Sequence, residues 1–82
     1  MKLILDRNTT VDVDSYHAAS DRVRSYCEEE DIGSMEFARR GTGRIFGTQG
    51  ADAGVQIAFV SYNGRVWLGV DRYPARNVEV TY

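Results

Sequence analysis

The segment VQIAFVSYNGRVWLGVD, residues 55–71, carries the strongest structural signal in the chain. Asn63-Gly64 sits between two runs of alternating apolar residues. This is the short-range signature of a β-hairpin closed by a two-residue type I′ turn, because both central residues of that turn need positive φ. With Tyr62 opposite Arg65, the remaining pairs follow: Ser61 with Val66, Val60 with Trp67, Phe59 with Leu68, Ala58 with Gly69 and Ile57 with Val70. One face then collects Val55, Ile57, Phe59, Val66, Leu68 and Val70 and is expected to meet the core. The other collects Gln56, Ala58, Val60, Tyr62, Arg65, Trp67, Gly69 and Asp71, partly polar and partly aromatic.

Outward from the hairpin, KLILD (2–6) reads as a strand ended by RNTT. From Asp12 the spacing becomes helical: Tyr16, Ala19, Val23, Tyr26 and Cys27 fall within an arc of about 100°, the width of a core-facing stripe. Asp14 is the expected N-cap and Gly33 the expected stop. SMEFARR (34–40) alternates Met35 and Phe37 around Glu36 and is read as a strand that GTG (41–43) joins to RIFGT; a short helix capped by Ser34, with Gly41 after it, is the alternative. GTQGADAG (47–54) is expected to be a mobile surface loop, and NVEVTY (77–82) a last strand. The expected fold is α+β in a single domain, 1–82. A small, mainly antiparallel sheet of four to six strands carries one amphipathic helix on one face, in the order β-α-β-β-β-β or with one further strand.

Composition narrows the function classes. The chain has 82 residues, 43% apolar and 27% charged, with one proline, which suits a globular domain. MKLILDR holds too few apolar residues for a signal peptide or a membrane span, so a cytoplasmic protein without membrane contact is expected. A lone cysteine, Cys27, permits neither an internal disulfide nor a cysteine-based zinc site. His17, the single histidine, precedes Cys27 by ten residues on the same helix, about 15 Å along its axis, too far for a Cys/His pair. In GTGRIFG (41–47) the third glycine stands one place beyond the dinucleotide-binding spacing. DVD (12–14) has His17 and Val23 where a calcium loop needs glycine and its final ligand. No catalytic residue, cofactor or metal is expected.

SYCEEEDIGS (25–34) raises a different question. Glu28, Glu29, Glu30 and Asp31 stand at a helix C-terminus, where the macrodipole makes each carboxylate cost about 0.3 to 1 kcal/mol. Arg24 lies four residues before Glu28, the less favourable order for an ion pair. Residues 1–40 hold nine acidic and six basic side chains, against three and four in 41–82. The cluster therefore serves either solubility or a binding surface for a basic protein, such as one whose Arg/Lys-lined groove normally holds nucleic acid. Val60, Tyr62, Arg65 and Trp67 would supply a mixed aromatic sheet face of the kind found at protein interfaces, a homodimer included. Arg39, Arg40 and Arg44, around the GTG turn, could instead track a phosphate backbone, although a pI near 5.2 argues against direct nucleic-acid binding.

The expected function is a non-enzymatic protein-interaction module, a small inhibitor or modulator; the alternative is an arginine-mediated nucleic-acid binder. In size, charge and class the chain resembles small acidic inhibitors carried by phages and other mobile elements, anti-CRISPR proteins among them. No motif carries that resemblance, and it assigns no residue.

Overall fold

Leu3 and Leu5 lie on one side of the first strand and are fully buried, while Lys2, Ile4 and Asp6 alternate to the other. This strand, β1 (Lys2–Asp6), turns at Arg7-Asn8, where Asp6 Oδ1 accepts from the Asn8 amide at 2.9 Å. It runs straight into β2 (Thr9–Asp12). RNTT is thus a hairpin turn and the opening of a second strand, not merely the end of the first. The structure, a computed structural model, describes residues 1–69 and 78–80. Val70, Asp71, the RYPAR turn and the ends of the expected last strand lie outside the described residues.

Helices α1 (Tyr16–Glu30) and α2 (Ser34–Arg40) follow, then strands β3 (Arg44–Phe46), β4 (Gln56–Val60), β5 (Val66–Leu68) and β6 (Val78–Val80). All neighbouring strands are antiparallel, in the order β2-β1-β3-β4-β5-β6. The fold is the small α+β class that the sequence predicts, with six strands. The element order differs, since two strands precede the helices and the described residues form two helices. α1 lies against β1 and β4, and the core gathers Leu3, Leu5, Ala19, Val23, Tyr26, Ile45, Ala58, Val60 and Val66. The 47–54 segment is an exposed loop with one 3-10 turn, Gly50–Asp52.

The β4–β5 hairpin exists, but its register is one residue away from the expected one. Ala58 pairs with Leu68, Phe59 with Trp67 and Val60 with Val66. The loop has three residues rather than two: the Gly64 amide donates to Ser61 O at 2.9 Å and the Ser61 amide to Arg65 O at 2.8 Å. Gly64 alone takes positive φ, +88°, because Asn63 spends its side-chain oxygen on the Arg65 amide and keeps negative φ. A slip of one residue turns a strand over. On β4 it is therefore Ala58 and Val60 that enter the core, while Phe59 is buried on the opposite face and Val55 is exposed. On β5, Val66 is buried as expected, but Leu68 is 41% exposed.

α1 is capped by Ser15, whose Oγ accepts from the Ala18 amide at 3.0 Å, and not by Asp14. Ala19, Val23 and Tyr26 are buried as the stripe requires, and Tyr16 and Cys27 are half-buried beside them. Ser20 is buried too, and its hydroxyl donates to Gly64 O at 2.7 Å, fastening the helix to the hairpin turn. The helix stops at Asp31, which takes the left-handed conformation at φ 51° and ψ 51°, with the Ile32 amide reaching back to Cys27 O at 3.2 Å. Ile32 then enters the core. Gly33 is not the stop; it precedes α2 in an extended conformation.

Residues 34–40 form a helix, not a strand. The apparent alternation misleads because only Phe37 is buried while Met35 is 78% exposed. Glu36 pairs forward with Arg39 and Arg40, and these two cations sit in the last turn, where the helix dipole favours them. Gly41, at φ 70°, ends the helix. Gly43 must also be glycine: at φ +99° its amide donates to Ile4 O, and a Cβ there would stand 2.2 Å from Val60 O.

Two stability measurements check these anchors. Ser20→Ala removes a buried hydrogen bond and is expected to cost about 1 to 2 kcal/mol in urea unfolding. Asp31→Gly removes left-handed strain and a carboxylate from a helix C-terminus, and should stabilise by about 1 kcal/mol, raising Tm by about 4 to 8 °C.

Candidate functional site

Arg40, on the last turn of α2, organises the molecule's most connected polar cluster. Its Nε donates to Glu36 Oε1 at 3.0 Å, and its Nη1 to Tyr26 Oη at 2.7 Å and to Glu30 Oε1 at 3.1 Å. Its guanidinium also lies 5.8 Å from the Tyr26 ring centroid. Tyr26 passes the connection on, donating to Asp6 Oδ2 at 2.9 Å. The bond to Tyr26, then those to Glu36 and Glu30, raise the Arg40 pKa further above its usual value. Burial raises that of Tyr26. The Asn8 amide, and after it the Tyr26 hydroxyl, lower that of Asp6.

Next to this cluster opens a groove of about 800 Å³ between α2, the β1–β2 turn and the β4–β5 hairpin. Arg7, Arg39, Arg40 and Arg44 line it together with the exposed Tyr62 and the largely buried Phe37 and Phe59; among the described residues no carboxylate does so. Arg44 is folded over the C-terminus of α2, with Nε donating to Gly41 O at 3.3 Å and its guanidinium 6.0 Å from the Phe46 ring centroid. Arg39 makes only a 3.5 Å contact with Glu36, its side chain 71% exposed. Part of this cationic surface answers the negative end of the α2 dipole, which amounts to about half a charge. Four guanidinium groups exceed that need. Because Arg40 is bound by two carboxylates and a phenol, the cations left to meet a ligand are Arg7, Arg39 and Arg44.

Arg39, Arg40 and Arg44 are therefore brought together as the sequence pattern suggests. Arg7 joins them from a turn more than thirty residues away, and no local motif marks it. The expected protein-binding set is dispersed. Val60 is 1% exposed, in the core, and offers no surface. Tyr62 lies in the hairpin loop, where its hydroxyl donates to Ile32 O at 3.2 Å and its ring meets Phe37 edge-on at 5.6 Å. Arg65 is exposed at the base of that loop. Trp67 belongs to a row on the sheet face opposite the core, Arg44–Phe59–Trp67–Glu79, and its Nε1 is buried without a hydrogen-bond partner among the described residues.

The acidic cluster also divides. Glu30 is neutralised within the molecule by Arg40, and Asp31 serves as the left-handed helix end. Glu28 and Glu29 are exposed and make no ion pair among the described residues. His17 Nε2 lies 3.5 Å from Asp21 on the exposed side of α1. Among the described residues, no three His, Cys, Asp or Glu side chains are placed to hold a metal ion, and no helix is long and apolar enough to cross a membrane. Comparison with protein-family models, with curated proteins and with solved structures finds no match.

The carboxylates set the acid limit of the fold. Asp6 and Asp12 both have pKa values below their ordinary 3.8, Asp12 through the hydrogen bond from Lys2. A lowered folded-state pKa contributes stability above the unfolded value that is lost as pH falls through the folded one. Tm is expected to hold between about pH 5 and pH 8 and to fall below about pH 4. Asp6→Asn should reduce neutral-pH stability and flatten that acid limb in thermal melts.

Proposed function

We propose that the protein is a non-enzymatic module that binds nucleic acid by its phosphate backbone, using the groove beside α2. The observation that carries this reading is that four arginines line one concave surface on which, among the described residues, no carboxylate stands. Whole-chain acidity is a poor guide to such a surface, because local field and not net charge governs an encounter at close range. Glu30 and Glu36, in the cluster beside the groove, are held against Arg40. Guanidinium groups also suit phosphate better than ammonium groups do, since they present paired donors in a plane.

Glu28 and Glu29, exposed beside the α1–α2 junction, favour a second reading. In it this end of the molecule meets a basic protein, as a small inhibitor would, with Tyr62 close by to add apolar contact.

Charge reversal separates the two. Arg7, Arg39 and Arg44 changed together to Glu should abolish binding to nucleic acid, and the parent protein's affinity should fall steeply between low and moderate salt. Glu28 and Glu29 changed to Lys should leave that binding intact or strengthen it. If the arginine variant binds nucleic acid as the parent does, the groove is not the site. If the Lys variant loses capture of a basic protein, the second reading gains.

A further inference from the structure

We infer that the nucleic acid is single-stranded, and that an unpaired base stacks on Tyr62 while flanking phosphates meet Arg39, Arg44 and Arg7. The inference rests on the phosphate-binding reading of the groove and adds the state of the ligand. Tyr62 is 47% exposed and lines the groove, yet its ring is held at both ends. The hydroxyl is anchored on Ile32 O and the ring stands across Phe37 at an interplanar angle of 68°. A fixed aromatic face beside cationic side chains is the arrangement that unpaired bases use, because every base offers a π-face once it leaves the duplex. A duplex hides those faces. A rail of duplex phosphates would touch the arginines but leave the exposed ring of Tyr62 without a partner. A groove of about 800 Å³ is on the scale that takes a compact organic ligand, here one or two nucleotides.

The test is fluorescence anisotropy with the whole chain and labelled probes: a ten-residue oligo(dT), a ten-residue oligo(U), a ten-base-pair duplex and poly-glutamate. At least one single-stranded probe is expected to bind at least tenfold more tightly than the duplex. Tyr62→Leu fills the space against Phe37 without a π-system and should lose about 5- to 100-fold in affinity, whereas Tyr62→Phe keeps the π-face, loses only the anchor on Ile32 O and should lose less than Tyr62→Leu does. Melting by circular dichroism confirms that both variants are folded. Duplex binding equal to the best single strand, or an unchanged affinity in folded Tyr62→Leu, overturns the single-strand inference and leaves the phosphate reading standing. Poly-glutamate binding more tightly than every nucleic acid, or no nucleic acid bound at all, overturns both.

Discussion

Arg40 ties three separate parts of the chain to one guanidinium group: Tyr26 and Glu30 on α1, Glu36 on its own helix and, through the Tyr26 hydroxyl, Asp6 at the end of β1. A tyrosine hydroxyl that both accepts from a cation and donates to a carboxylate has each of its capacities used, and the chain of bonds joins α2 to α1 and to the end of β1. Arg39, on the same helix, lines the groove together with Arg44. The cation that holds the site in shape is thereby the one least able to leave its partners for a ligand.

The same logic explains why four consecutive carboxylates stand at a helix end that should repel them. Each position has its own circumstance. Glu30 meets Arg40, and Asp31 adopts the left-handed turn that short polar residues tolerate better than most. Only Glu28 and Glu29 remain as a plain surface charge, too short a run to define a pole by itself. The helix is closed by Ile32 entering the core, a burial worth about 1.5 to 3 kcal/mol, against a dipole cost of about 0.3 to 1 kcal/mol for a carboxylate.

Much of the architecture is readable in the residues, and the failures have identifiable physical causes. The α1 stripe of Ala19, Val23 and Tyr26 is legible because helical periodicity and burial coincide there. The hairpin is legible as a hairpin, but Asn-Gly serves both a two-residue turn and a three-residue loop closed by a bulge; in the second Asn63 keeps negative φ and Tyr62 leaves the strand for the loop. Strand β2 is hidden because TTVD is a half-exposed edge with little apolar pattern. Helix α2 is hidden because two turns with one buried residue make no periodicity. Of the groove, the Arg39, Arg40 and Arg44 cluster is visible as neighbours in sequence, while Arg7 joins it only through the fold.

The cross-strand row on the far side of the sheet has a practical meaning for anyone handling the molecule. Trp67, the chain's one indole, stands beside Phe59, and Phe59 together with Arg44 faces the cleft. Emission from that ring reports on its immediate polarity, so the protein carries an intrinsic optical reporter one side chain away from whatever occupies the cleft. Occupancy can be followed by light alone, without attaching a dye to either party.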